Sequence, residues 1–287
     1  MKNSLFLLLW FFSSLTQAAD GRLSTVSGDP APEVEITTNT LYLTNGGVDL
    51  TLSLTSGHLA GKNYDVFEIA GPAICAGPAW ASNTIRAIDI QVAGSEIVNA
   101  AAMTCINGAS TYTVAAGDGQ LRGGFRAFTN GLTRSTMSSR LVWDARNPII
   151  APVAAIDTTD SWSYSAPLFR QANGNPANRI EVFNGLSGRP VSIRASGYMI
   201  GSALTSGFVG IGIDTSTADS SQVKNPCAGS NTFPVLPCWA EYSGYVGIGY
   251  HEIRWLERGT GTAATWIGDN GYGGYGYQTG LVGTVQQ

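Results

Sequence analysis

Two histidines, His58 and His251, four cysteines and a thin scatter of carboxylates are the groups through which this 287-residue chain could move protons, attack carbonyls or hold a metal. His251 lies in Tyr250–Glu257, where strand alternation puts His251, Ile253, Trp255 and Glu257 on one face and Tyr250, Glu252, Arg254 and Leu256 on the other. His251 and Glu257 suggest an acid/base pair, but six residues of extended chain separate them by about 20 Å. That distance forbids direct proton exchange, so a hydrogen-bonded core or subunit-interface histidine beside a packed Trp is the expected role. A Ser-His-Asp arrangement would have to use His58, in the loop Ser56–Leu59, or His251, and the chain lacks the G-x-S-x-G elbow.

Paired carboxylates are the more credible enzymatic chemistry, because glycoside hydrolysis needs only two of them at a suitable separation. The candidate pairs are Asp157 with Asp160, Asp214 with Asp219, and Glu252 with Asp269. Oxygen-bearing side chains alternate along Asp214–Asp219 and could ligate Ca²⁺, but the central Gly and closing Glu of an EF-hand loop are missing. The segment is therefore read as a solvated turn. The glycine clusters at 207–212 and 244–249 lack the Lys-Ser/Thr ending of a phosphate loop, and are read as places where aromatic rings pack on bare backbone. The stretch 268–277 alternates Tyr and Gly after Asp269. Asp269, Tyr272, Tyr275 and Tyr277 are its candidate binding residues; the tyrosines offer broad amphipathic faces at small entropic cost, a composition suited to a carbohydrate- or protein-binding loop. The plainer alternative is a hairpin leading to the last strand.

The cysteines, Cys75, Cys105, Cys227 and Cys238, are even in number, and three pairings are possible. Pairing Cys75 with Cys105 and Cys227 with Cys238 keeps each bridge within one region and closes a short Pro-rich loop. Neither pair has the spacing of a zinc site, so no metal and no cofactor is expected. Disulfides imply an oxidising compartment. The first residues agree: Lys2 precedes the apolar run Leu5–Phe12, followed by small and polar residues to Ala19, the pattern of a signal peptide over 1–19 cleaved after Ala18 or Ala19. The run is too short to span a membrane. The protein is therefore expected to be secreted, periplasmic or on the extracellular surface. With 16 basic residues against 20 acidic ones, an electrostatic nucleic-acid partner is not expected.

The elements that would position these groups are strands. Residues 20–40 carry Pro30 and Pro32 with little periodicity and read as an extended lead-in. From 41 to 287 the chain reads as one β-sandwich domain with a sub-boundary near 150–160. Val48–Leu54 alternates without a fault, and further strands are predicted at 64–69, 85–92, 112–114, 124–128, 179–183, 191–198, 208–213, 250–257 and 280–285. Short strands separated by Gly, Pro, Asn and Ser clusters predict an all-β fold, a jelly-roll-like β-sandwich.

Several segments, Leu59–Phe67, Arg140–Asn147, Ser161–Tyr164, Phe169–Asn173, Ala177–Ile180, Gly249–Glu257 and Thr265–Asn270, resemble a C-terminal β domain of bacteriophage tail and fibre proteins and of phage-derived bacterial proteins. The resemblance implies a β-sandwich that trimerises and displays loops to a receptor. The chain departs from that pattern in its signal peptide and paired cysteines. Residues and resemblance together lead to an exported binding or structural surface module that contacts glycan or cell-surface ligands and is not an enzyme. The alternatives are a secreted glycan-degrading hydrolase and a shell or filament subunit.

Overall fold

A computed structural model describes residues 22–27, 36–45, 48–71, 73–200, 206–228, 237–262, 264–269 and 278–287. The signal-peptide segment and Tyr272, Tyr275 and Tyr277 lie outside the described residues. Among those described, the protein is all-β; its helical structure is one 3₁₀ turn at Ala172–Gly174. Among the described residues no helix is long and apolar enough to cross a membrane.

The first half stacks a small sheet on a large one. Arg22–Ser24, Thr40–Asn45 and Val48–Ser53 form the small sheet. The large one is centred on Ala73–Ala76, Asn63–Ile69 and Gln120–Arg126. Alternation sorts the central strand cleanly: Tyr64 and Val66 meet Leu41, Leu43, Leu52 and Phe125 between the sheets, whereas Phe67 turns to the other side with Trp80, Leu121 and Trp143. Cys75 and Cys105 are bonded across neighbouring strands of this sheet.

The second half is a sandwich of facing sheets. One carries Arg179–Asn184, Gly249–Gly259, Ser206–Ile213 and Cys227–Ala228 in that order. The other runs Ile150–Ile156, Gly280–Gln286, Pro190–Ile200, Cys238–Tyr245 and Val223–Asn225. Val153, Ile193, Val209, Ile253, Trp255 and Trp266 are among the side chains that fill the space between them. The Cys227–Cys238 bond ties one sheet to the other. Both bridges are those expected from the sequence; they fit an oxidising environment, and no cysteine among the described residues is free.

The halves are locked by close approach. A Cβ built on Gly185 would lie 1.7 Å from Trp143 Cζ2, so the indole of the first half sits flat on bare backbone of the second. Gly249, at φ +117°, lets Asn83 O come within reach of the Tyr250 N–H, which donates to it at 3.0 Å. Arg86 donates to both oxygens of the buried Asp65, at 2.8 and 3.0 Å, and to Gly185 O at 2.5 Å, with its guanidinium 4.5 Å from the Trp80 ring.

The sequence reading does not place several strands, Ile150–Ile156 and Cys238–Tyr245 among them, and three further details differ. The lead-in contributes strands at Arg22–Ser24 and Ile36–Thr38, each three residues long and so too short to reveal a period. The strand expected at 85–92 begins only at Ile90, because residues 81–89 form turns that deliver Arg86 to Asp65. The one expected at 124–128 runs from Gln120 to Arg126.

Gly185→Ala should lower stability by roughly 3 kcal/mol, at the upper end of overpacking costs, because neither Trp143 nor the strand can retreat. Thermal unfolding monitored by near-ultraviolet circular dichroism measures this, and an unchanged midpoint would refute the seating.

Candidate functional site

Register fixes which connections share an end of the second sandwich. Ile156 and Ser196 both pair with Gly280, Gly197 with Cys238, Gly207 with Gly259, and Ser161 with Ile267. The stretch 157–168 and the described residues flanking 201–205, 229–236 and 270–277 therefore all belong to one end. The first half contacts the opposite end, through Asn83, Gly185 and Gly249.

At this distal end the inward face of Gly249–Gly259 finishes on Glu257, which is 0% exposed. Its carboxylate accepts from Trp162 Nε1 at 2.5 Å, Arg170 Nε and Nη2 at 2.8 Å and the Asn173 backbone N–H at 3.0 Å. Burial pushes the Glu257 carboxyl above its ordinary range, and these donors hold it partway down. Asn173 sits at φ +57°, a left-handed conformation that Asn tolerates better than most residues. Its side chain reaches Asp157 Oδ2 at 3.2 Å and Thr159 Oγ1 at 2.9 Å. Asp157 also accepts from Asn178 Nδ2 and the Thr159 N–H. Burial alone would raise Asp157, but these donors outweigh it and the carboxyl lies below its usual range. Asn173 thus bridges two buried carboxylates. Around them, Trp162 meets Trp255 edge to face at 5.8 Å, and the Arg170 guanidinium lies 3.9 Å from the Tyr164 ring. Beside this hub a groove of about 250 Å³ is lined by Ser163, Tyr164, Ser165, Ala166 and Ala264.

The pairs named from the sequence are not those the fold assembles. Asp160 belongs to the same end as Asp157, but its backbone carbonyl accepts from the Gly268 N–H and no side-chain contact joins it to Asp157. Asp214, at φ +58°, accepts from His251 Nδ1 at 2.7 Å and the Glu252 N–H at 2.8 Å, with its carboxyl below its ordinary value. Asp219 instead accepts from the Ile211 N–H, Ser221 and the Lys224 ammonium, which occupies the oxygen a cation would need. Among the described residues no cluster of His, Cys, Asp and Glu is arranged to hold a metal. Glu252 is bound to Tyr250, Arg179 and Arg254 near the start of its strand, whereas the half-buried Asp269 lies beyond the strand's far end. His251 is a buried histidine of the inward face, and Glu257 stands at the other end of that face. His58 is also buried, bonded through Nδ1 to Leu54 O and packed against Tyr64 and Phe125; burial lowers its basicity.

Asn173, Asn178 and Arg170 are the site residues that no periodicity flags. Their carboxylate partners lie 16 to 87 positions away, and the left-handed Asn173-Gly174 corner is the local hint. Among the described residues, four cavities and grooves are each lined by at most one acidic side chain, short of the pair that glycoside hydrolysis uses. Comparison with protein-family models and with curated proteins finds no match.

Arg170→Ala should cost about 2 kcal/mol at neutral pH. That is less than the 3–5 kcal/mol for a fully buried pair, since Arg170 is 37% exposed and water already reaches it. Without the cation, Glu257 rises further. A folded value above the unfolded one favours the fold below the unfolded value and loses that advantage as pH climbs through the folded value. The deficit of the variant should therefore shrink on acidification from pH 7 towards about 5. Urea denaturation at both pH values measures it, and a pH-independent deficit would count against the buried ion pair.

Proposed function

We propose that this protein is an exported binding module whose distal end meets a glycan or other cell-surface ligand. The observation that carries the reading is the hub itself. Glu257 and Asp157 have most of their acceptor capacity committed to Trp162, Arg170, Asn173, Asn178 and Thr159, an arrangement that holds side chains still and leaves little for proton transfer. Rigid side chains beneath a cluster of connections are what a recognition surface requires, because ordering costs are met before the ligand arrives. The adjacent groove, with two serines, a tyrosine and two alanines, has the hydroxyl-and-ring chemistry that suits sugars. Tyr272, Tyr275 and Tyr277 fall in the connection between Asp269 and Gln278, whose flanks belong to this end. The paired cysteines and the signal-peptide pattern agree with such a role outside the cytoplasm.

Binding of the purified mature protein to a glycan array tests the reading. Selective binding is expected. Substitution of Tyr164 by Ala, and joint substitution of Tyr272, Tyr275 and Tyr277, should each weaken it at least ten-fold while circular dichroism stays unchanged. No selective binding, or binding indifferent to both sets of changes, overturns the proposal; progressive shortening of the bound glycans would replace it with hydrolysis.

A further inference from the structure

Among the described residues, nothing covers the outer face of the sheet running from Ile150–Ile156 to Val223–Asn225. Ten large hydrophobic side chains are exposed among the described residues, and five of them, Ile150, Ile156, Val223, Tyr245 and Val282, belong to this one sheet. Alternation puts all five on the same side, since Ala151, Val153, Leu281, Val285, Ala240 and Ile193 take the core side of the neighbouring positions. The face carries a single close pair of opposite charges at its centre. Arg194 and Glu241 are register partners on adjacent strands, 3.8 Å apart and each about half exposed. A groove of about 500 Å³ crosses the face between Val223, Glu241, Arg194 and Val282.

A monomer seldom leaves so much of its exposed apolar surface on one flat side. The chemistry of the face selects the partner. Its apolar groups are chiefly aliphatic and β-branched, and Trp239, the ring best suited to a sugar, has the Arg194 guanidinium 5.2 Å from its centre. Such a surface packs against another pleated sheet rather than against a glycan. Its charge is self-complementary as well. With a two-fold axis laid along the sheet between the strands Pro190–Ile200 and Cys238–Tyr245, Arg194 of one copy faces Glu241 of the other, and the reverse holds at the same time. The size is sufficient: five strands at about 4.8 Å and roughly seven residues at 3.3 Å make a face of about 24 by 23 Å. With side-chain relief, that approaches the roughly 800 Å² per partner of a stable interface.

We propose that the protein forms a two-fold dimer through this face, with the same face of a second copy as its occupant. The inference is independent of what the distal end binds. It also differs from the trimer that the phage-fibre resemblance implies, because an isologous face-to-face contact closes at two. Two distal ends per particle would give a weak ligand site avidity.

Sedimentation equilibrium of the mature protein at micromolar concentration should give a dimer. Arg194→Glu alone sets Glu against Glu across the axis, and Glu241→Arg alone sets Arg against Arg, so each should weaken self-association at least ten-fold. An equimolar mixture of the two variants should recover a dimer, because each mixed contact pairs opposite charges again. Both side chains are half exposed, so the variants should fold, and circular dichroism checks that they do. A monomeric or trimeric wild type, single variants that remain dimeric, or a mixture that stays dissociated would each overturn the proposal.

Discussion

The architecture depends on one contact, the indole of Trp143 lying against the peptide backbone of Gly185, with Gly124 beneath its Nε1. A tryptophan buries more apolar surface than any other side chain, but its flat ring needs a flat seat, and only residues without a Cβ provide one at van der Waals distance. Trp143 comes from the first half and Gly185 from the second, so the contact, together with the parallel pairing of Ser139–Arg140 with Glu181–Val182, holds the halves together. It also brings Gly185 O within reach of Arg86, whose ion pair with Asp65 would otherwise lack its third acceptor. The same device recurs in the second half, where a Cβ on Gly207 would lie 2.9 Å from the Trp266 ring. Of the glycines in the clusters that superficially suggest phosphate loops, Gly207 is such a socket, whereas Gly212 and Gly249 meet the backbone of Thr215 and Asn83.

A joined base has consequences at the other end of the molecule. The first half contacts the second sandwich at the end near Gly249 and Asn184, opposite the end where Glu257 and Asp157 lie. There the need is different: several chain segments converge where the sheet no longer supplies hydrogen-bond partners. Two buried carboxylates and two asparagines fill that need, accepting and donating across elements that backbone ladders do not reach. Glu257 remains costly to bury even so, which its raised pKa expresses. A carboxylate retained at such a cost for geometry is consistent with a surface whose shape matters.

How far the sequence discloses this follows from the range of each interaction. Alternation is local, so Val48–Ser53, Asn63–Ile69 and Gly249–Gly259 were readable, as was the inward placement of His251 with Ile253 and Trp255. Cysteine parity gave the two bridges because only close pairings kept each within one region. The hub was not readable. The sequence pairs Asp157 with Asp160 and Glu257 with His251, but what unites Asp157 and Glu257 is Asn173, whose role depends on a left-handed backbone and on two partners from distant segments. Pairing carboxylates by proximity in sequence led to Asp214 with Asp219, which the fold turns towards His251 and Lys224 respectively.

The outward sheet face illustrates the same limit from the opposite side. Ile150–Ile156, Pro190–Ile200 and Cys238–Tyr245 alternate in burial, and alternation says only that two faces differ, not that the less apolar one is content in water. Ile150, Ile156, Val223, Tyr245 and Val282 come from four different strands and look like unremarkable surface exceptions singly. Only the strand order puts Val282 beside Arg194, Arg194 beside Glu241 and Glu241 beside Val223. A face with aliphatic groups flanking one central ion pair has no use for the charges as solubilising groups, since they largely cancel each other. The pair does supply register to a two-fold contact, where a shifted or inverted partner would bring like charges together.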